Sequence, residues 1–280
     1  MEFKAVVGTR RSTRIWQPWR PVEEAKLQTI LEAVYRAPRV LEVDFVRALV
    51  MRRDALTHEQ LLQLKTPTTT SQIELCPIVL WVYADLEALG QAMEGAVLEE
   101  LIDAGALNES HGWTRERVHA EIIPDVYRPI LEREDRVPMQ FRTPDGMREG
   151  PSYSRELVAL ARTAIGIAQA HALLAAVDVG LGVQLSAIAP AVPKEILGIP
   201  DSWIVSSPIL LGYSAEQPGG QRPREPLEES VCEGRFGRPF ESDPDVVERL
   251  KQQQMIQDPQ PTAWRRAELR RLARMFGLPE

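Results

Sequence analysis

Cysteine is scarce in this chain of 280 residues, which contains two, Cys76 and Cys232. They form no Cys-x-x-Cys pair and no cluster with histidine. A disulfide-stabilised scaffold is therefore excluded, and we expect no zinc or other metal site. Cys76 directly precedes Pro77 at the start of an apolar run, and we interpret it as a small buried apolar residue.

Long apolar runs and an excess of positive charge are also missing. No run approaches 18 apolar residues, and the N-terminal segment lacks the apolar stretch of a signal peptide. The formal net charge is −7, whereas proteins that bind nucleic acid in general are basic. We therefore expect a cytoplasmic protein that binds neither membrane nor nucleic acid.

Several catalytic signatures are absent as well. After Gly180 and Gly182, Leu185 occupies the position where a dinucleotide fingerprint has its third glycine, so a Rossmann reading is rejected. No Gly-x-Ser-x-Gly or His-Glu-x-x-His occurs, which leaves serine hydrolase and zincin readings unsupported.

The periodicity of apolar residues predicts the main elements. Helical spacing over 22–36 is stopped by Pro38, and a second helix over 155–179 has Ser154 as N-cap and Gly180 after its end. That second helix is apolar on nearly every side, so we expect it in a core or a dimer interface. Strands are predicted at 45–51, 78–83 and 202–212, and helix-like segments at 87–104 and 114–134. The stretch 136–154 is predicted to be irregular, and two tail helices are predicted, one on each side of the break at 258–262.

Two basic segments are candidates for a phosphate site. Arg10, Arg11 and Arg14 are interleaved with Ser12, and Arg222 and Arg224 alternate on a Gly/Pro-rich loop. Guanidinium groups bind phosphate bidentately, with hydroxyl and backbone N–H groups completing the oxygen shell. On composition alone, the first segment is more typical of a solvated charge run. The two segments together suit one phosphate if the fold brings them together.

Three stretches of the sequence resemble the FMN-dependent nitroreductase family, in the family's order. The first is GTRRSTRIWQPWRPVEEAKLQTILEAVYRAP, with its Arg-Arg-Ser-x-Arg motif and its helix ending in Ala-Pro. The second, AIGIAQAHALLAAVDVGLGVQ, resembles the Ala-rich central helix, and the third, ILGIPDSWIVSSPILLGYSAEQPGGQRPREPLEESV, resembles the closing strand and the segment after it.

The resemblance implies an α+β fold with a central, mainly antiparallel sheet flanked by helices, in an intertwined homodimer. It implies a flavin-binding domain over 1–240, with an inserted excursion over 86–153 covering the active site, and a helical extension over 241–280. The implied activity is reduction of small aromatic nitro, quinone or similar acceptors by NAD(P)H, through FMN and a ping-pong hydride mechanism. Carried over by position, the implied FMN-binding residues are Arg10, Arg11, Ser12, Arg14, Pro38, Arg39, Val40, Glu42, Leu185, Ser186, Ala187, Arg222 and Arg224.

The sequence departs from the family where the flavin ring is expected. The family's Ser-x-x-Asn-x-Gln is replaced here, so that Arg39 stands at the Ser position and Glu42 and Asp44 at the amide positions. Carboxylates accept but do not donate hydrogen bonds, and they repel an anionic reduced flavin. Arg39 can offset this repulsion by pairing with one carboxylate. The alternative reading is a non-catalytic or specialised relative that binds flavin or another phosphate-bearing ligand.

Other residues have two readings each. His171 is either a proton donor or a hydrogen-bonded core residue, and no catalytic residue is assigned. The arginine-rich tail segment 261–280 either binds an anionic membrane or nucleic acid as an amphipathic helix, or packs against the body of the protein or a partner subunit. The aromatic residues of the excursion either shape an acceptor pocket or form a satellite core; they are Trp113, Tyr127, Phe141 and Tyr153.

Overall fold

The computed structural model describes residues 2–40, 43–66, 71–143, 146–186, 191–205, 207–217, 219–259 and 261–278. Two of the predicted flavin-contacting residues, Glu42 and Ala187, lie outside the described residues, as does the side chain of Phe141.

Helices and strands alternate irregularly along the described part of the chain. One segment, Val118–Tyr127, is a π-helix. Within the described residues, helices α1 to α13 span Phe3–Thr9, Glu24–Tyr35, His58–Gln63, Ser71–Leu75, Leu86–Ala92, Ala96–Asp103, Arg115–Arg117, Arg128–Leu131, Arg155–Asp178, Ala191–Leu197, Leu227–Ser230, Pro244–Gln252 and Thr262–Phe276. Strands β1 to β7 span Val46–Arg52, Ile78–Asp85, Arg136–Thr143, Gly146–Ser154, Gly182–Leu185, Trp203–Val205 and Ile209–Gly212.

The central sheet is antiparallel, as predicted. Its strands run in the order β1-β2-β7-β5, and β6 also pairs with β2. From Ile78 to Ala84 every residue of β2 is buried, because helices and loops cover both faces of the sheet. The prediction of a single strand over 202–212 is wrong in detail, because the structure has two strands there, β6 and β7. Pro208 lies between them and has no N–H to continue the ladder with β2.

Helix α9 is the longest helix and confirms its predicted bounds. The Ser154 hydroxyl accepts a hydrogen bond from the Leu157 N–H at 3.2 Å, and Gly180 follows the end with a φ of +81°. Although α9 is long and apolar enough to cross a membrane, one of its faces packs against α2 and β2 within the main core. The opposite face, which includes Gly166, is exposed in the single chain.

The excursion is more regular than the sequence indicates. The stretch 136–154, predicted to be irregular, is a β-hairpin in which β3 pairs with β4. Pro138 is tolerated in this two-stranded sheet because the register shifts between Pro138 and Gln140. Ahead of the hairpin, Leu98 and Val118 are fully buried in the main core. The excursion is therefore built into the same core as the central sheet.

The two tail helices are present, and α13 packs on the body of the same chain. Leu272 of α13 is fully buried, and Phe276 stacks on Trp19 with ring centroids 5.7 Å apart. Of the two readings of this helix, the packed one is confirmed.

Candidate functional site

The first basic segment lies beside β5, directly after α1. Ser12 forms a parallel bridge with Val183, and the Thr13 N–H donates to the Val183 carbonyl at 2.8 Å. This closeness requires a glycine at position 182, because a Cβ there would lie 2.5 Å from Thr13 Oγ1. The sheet thus fixes the backbone on which Arg10, Arg11 and Arg14 are carried.

The two basic segments, 222 and 224 on one side and 10–14 on the other, meet at one cavity of about 1080 Å³. Seven arginines line it, against one carboxylate, that of Glu216. The cavity is therefore strongly positive within a chain whose formal charge is −7. The fold therefore brings the two basic segments together, as a single phosphate site requires.

These arginines differ in what already binds them. The Arg11 guanidinium donates to the carbonyls of Gly219 and Gly220 at 2.8 and 3.0 Å, and further to those of Gly8 and Arg10. Burial, and secondarily the nearby charge of Arg10, lowers the Arg11 pKa from its ordinary value. Arg11 therefore ties the two basic segments together and has few donors left for a ligand.

The guanidinium groups of three other predicted residues, Arg10, Arg222 and Arg224, have no hydrogen-bond or ion-pair partner among the described residues. The Arg14 side chain donates to the Ser12 carbonyl at 3.0 Å and is otherwise exposed. Since a guanidinium has five N–H donors, most of the donors on these four arginines are open to an anion in the cavity.

One wall of the cavity is a buried carboxylate that sequence reasoning missed. The Glu216 side chain is 3% exposed; one oxygen accepts from the Arg14 backbone N–H, and the other accepts from Arg265 at 2.5 Å. Nothing in the local sequence marks Glu216, because its partners lie about 200 and 49 residues away along the chain.

A second wall is fixed by Tyr213. Its hydroxyl donates to the Glu23 carboxylate at 2.7 Å and accepts from Lys26 Nζ at 2.7 Å, while the Arg20 guanidinium lies 3.3 Å from the ring centroid. The hydrogen bond from Tyr213, more than the charges around it, lowers the pKa of Glu23. Arg20 is thereby held at the cavity by a cation–π contact.

The residues predicted to meet the flavin ring lie apart from this cavity. Arg39, with a side chain 6% exposed, forms an ion pair with Asp44 and also donates to the Tyr35 carbonyl. The expected pairing of Arg39 with one of the carboxylates is therefore confirmed. Pro38 is exposed and Val40 half-buried beside this pair.

Strand β5 connects the cavity with the other part of the predicted ring site. Gly182 lines the cavity, whereas Leu185 stands about 10 Å further along at the usual rise per strand residue. Leu185 is 48% exposed, and Ser186 is buried with its N–H donating to the Pro208 carbonyl.

The remaining candidates occupy core positions. His171 Nδ1 lies 3.2 Å from the Ala33 carbonyl and joins α9 to α2, which is the core reading of this histidine. Trp113, Tyr127 and Tyr153 pack on the main core, consistent with the satellite-core reading. Cys76 is fully buried as expected, and burial raises the pKa of its thiol to about 12.

Comparison with known proteins gives one sequence relative and many structural neighbours. No family model matches the chain. A Thermus thermophilus protein described as an NADH dehydrogenase is 28% identical over 232 residues, which cover 82% of this chain and 95% of the relative.

The structural neighbours include nitroreductases and a flavin oxidoreductase. A Bacillus subtilis nitroreductase aligns with a TM-score of 0.58 at 19% identity, over 82% of this chain and 97% of its own. A nitroreductase from Exiguobacterium sibiricum, solved with FMN, aligns with a TM-score of 0.57 at 18% identity, over 82% and 96%. An NAD(P)H:FMN oxidoreductase from Staphylococcus epidermidis aligns with a TM-score of 0.58 at 15% identity, over 83% and 95%. The resemblance drawn from the sequence motifs is thus confirmed in the architecture: this chain has the nitroreductase fold.

Proposed function

We propose that this protein is an FMN-dependent oxidoreductase that uses NAD(P)H to reduce small aromatic nitro, quinone or similar acceptors. The observation that carries the proposal is the convergence of the 10–14 and 222–224 segments on one cavity, within a fold whose neighbours include FMN complexes. We further propose that it works in the cytoplasm as a homodimer, with the excursion over 86–153 covering the acceptor side of the site.

The cavity suits the phosphate end of FMN. Arg10, Arg14, Arg222 and Arg224 supply open guanidinium donors, and Ser12 supplies a hydroxyl and a backbone N–H. A phosphate monoester carries about −1.5 to −2 charges at neutral pH, which the excess of arginine balances. We assign these residues to the phosphate and ribityl chain, and we assign to Arg11 the role of holding the two basic segments together.

The ring end follows from the direction of β5. With the phosphate beside Gly182, a ribityl chain running along β5 brings the ring towards Leu185, which is exposed at the surface of the chain, and towards the buried Ser186 next to it. The 48% exposure of Leu185 in the single chain fits a role in which it covers a ring shared with a second subunit. Ala187 and Glu42 belong to the same proposed contact set.

The ion pair of Arg39 with Asp44 sets the charge near the proposed ring position. Because the pair is neutral as a unit, Asp44 no longer presents an uncompensated carboxylate to an electron-rich ring. When bound, FMN would supply the chemistry of hydride transfer from NAD(P)H and of two-electron reduction of the acceptor, in ping-pong order. The chain's own residues bind the cofactor, orient it and adjust the local charge.

A visible spectrum of the purified protein, followed by anaerobic addition of NADH or NADPH, tests the proposal. We expect a yellow protein, or a colourless one that takes up added FMN, whose flavin absorbance is bleached by one of the two nucleotides. A colourless protein that ignores added FMN would refute it.

A second candidate function is flavin or phosphate-ligand binding without turnover. The observation that favours it is that the Arg39 guanidinium is already bound by Asp44 and by the Tyr35 carbonyl. Arg39 and Asp44 stand at positions where the resembled family has a hydroxyl and an amide for the flavin ring. Bound FMN that neither NADH nor NADPH bleaches under anaerobic conditions would select this function over the first.

A further inference from the structure

We propose that helix α13 is part of the anion site and that Arg265 is a positioning residue for the bound phosphate. Anion binding and the docking of the C-terminal residues 253–259 and 261–276 on the body of the chain then reinforce each other. The inference rests on the proposed function only in taking FMN as the first anion to be tested.

The most direct link is the buried carboxylate of Glu216. One of its oxygens accepts from the Arg14 backbone N–H, in the first basic segment, and the other accepts from Arg265 on α13. Arg265 lines the cavity and its side chain is 24% exposed, so part of the guanidinium faces the space where an anion would bind. A single carboxylate therefore fixes both the predicted phosphate segment and the C-terminal helix.

A second link joins the N-terminal helix, the second basic loop and the tail. The Gln221 amide donates to the Gly8 carbonyl at 3.0 Å and to the Met255 carbonyl at 2.6 Å, and it accepts from the Gln257 N–H at 3.1 Å. The Arg11 guanidinium, which already binds the 219–220 loop, donates to Gln257 Oε1 at 2.8 Å.

The tail also approaches α1 at backbone distance. A Cβ on Gly8 would lie 1.8 Å from the Gln254 carbonyl oxygen, so only glycine allows the two segments to meet there. Gln254 itself has a φ of +61°, a left-handed conformation that few residues other than glycine adopt. The tail is thus seated specifically on the segment that leads into Arg10 and Arg11.

These contacts make the C-terminal segment respond to the charge of the cavity. An empty cavity keeps several arginines close together against one carboxylate, and an anion relieves that repulsion and gives Arg265 a second anionic partner. Any anion that binds better when α13 is docked must, by linkage, stabilise the docked helix to the same extent.

The test combines hydrogen exchange of α13 with FMN affinity in the full-length protein. Exchange is measured without ligand, with FMN, and with inorganic phosphate as a second probe. Affinity is measured by flavin fluorescence for the wild type, Arg265→Ala, Arg265→Lys and the control Arg266→Ala. Arg266 is the neighbouring arginine on the same helix, is exposed and does not line the cavity.

We expect saturating FMN to slow amide exchange in α13 by up to about 100-fold at 100 times its Kd. Arg265→Ala weakens FMN binding by at least about tenfold, Arg265→Lys recovers part of the loss, and Arg266→Ala stays within about twofold. A purely structural role for Arg265 would destabilise the helix without making its exchange depend on the anion.

FMN that binds the wild type while α13 exchange and the Arg265→Ala affinity stay unchanged would overturn this inference and leave the proposed function standing. If the wild type takes up no FMN, the proposed function fails, and phosphate decides the inference alone. Exchange in α13 that slows with phosphate supports it, and exchange that does not respond to phosphate overturns it.

Discussion

The two ends of the proposed flavin site are built in different ways. At the phosphate end, three segments far apart in the sequence are joined by Arg11, Glu216 and Gln221, and four of the seven arginines around the cavity keep most of their donors open. At the ring end, Arg39 and Asp44 come from one short stretch after α2 and satisfy each other.

This difference separates affinity from reactivity. The phosphate end offers open charge-assisted donors on a fixed frame, which is the arrangement that supplies binding energy. The ring end offers a neutralised ion pair and exposed apolar surface, which adjusts a bound ring but holds it weakly. Changes at the first end should alter how tightly FMN binds, whereas changes at the second should alter what the bound flavin does.

The largest expected effect comes from removing open arginines at the phosphate end. Arg14→Ala and Arg224→Ala should each weaken FMN binding by about 10- to 150-fold, since each removes charge-assisted hydrogen bonds worth about 1.5–3 kcal/mol. Fluorescence titration with FMN measures the effect. Arg266→Ala, which removes an exposed arginine outside the cavity, is the matched control and should bind like the wild type. Unchanged affinity in both site variants would place the phosphate elsewhere.

A smaller effect is expected from disturbing the contact between β5 and the first basic segment. Gly182→Ala forces a Cβ against Thr13 and should cost about 1–3 kcal/mol of stability, with a parallel loss of FMN affinity because β5 no longer seats the arginine segment. Thermal unfolding and titration on the same samples measure the two losses. Full FMN affinity in a variant whose Tm has fallen would show that FMN binding does not depend on the contact between β5 and the first basic segment.

At the ring end, the expected change is in redox behaviour. Arg39→Ala leaves Asp44 unpaired near the reduced flavin and should lower its midpoint potential by on the order of 20 mV, with FMN affinity within a fewfold of the wild type. Spectroelectrochemistry measures the potential. Arg39→Ala/Asp44→Asn should restore it, and Arg36→Ala, which removes an exposed arginine three residues away in the sequence, serves as control. An affinity loss as large as that of Arg14→Ala would erase the contrast between the two ends.

The smallest predicted effect concerns the exposed face of α9. Gly166 is in mid-helix and a Cβ there meets nothing within 4 Å, so Gly166→Ala should stabilise an isolated chain by about 0.5–1 kcal/mol. Chemical denaturation measures this change. If a second subunit covers this face, as in the proposed homodimer, the added methyl group should instead weaken the association, which sedimentation at several concentrations detects.

Much of the framework could be predicted from periodicity. The bounds of α2 and α9 follow from apolar spacing with a proline, a serine cap and a glycine, because these signals are local. The hairpin over 136–154 could not be read in this way. Its prolines and glycines indicate turns. Its strands form because they pair with each other and pack on the core, and the local sequence does not reveal these contacts.

The site shows the same division. The arginines at 10–14 and 222–224 are visible as clusters, and the family resemblance links them. Local sequence patterns do not reveal the roles of Glu216 and Arg265, since these roles come from a contact between positions 49 residues apart. Arg11 was assigned with its neighbours, yet its donors are spent on backbone carbonyls, a difference that depends on the path of the 219–220 loop.

The seating of the tail on Gly8 also has a consequence for biosynthesis. Arg265 is synthesised more than 250 positions after Arg10, which takes roughly 10–50 s at ordinary translation speeds. During that interval the nascent chain carries an arginine cluster without the wall that α13 supplies. On the proposed role of α13, the complete anion site forms only after Arg265 has been synthesised, and a product that ends before Arg265 would have an incomplete pocket.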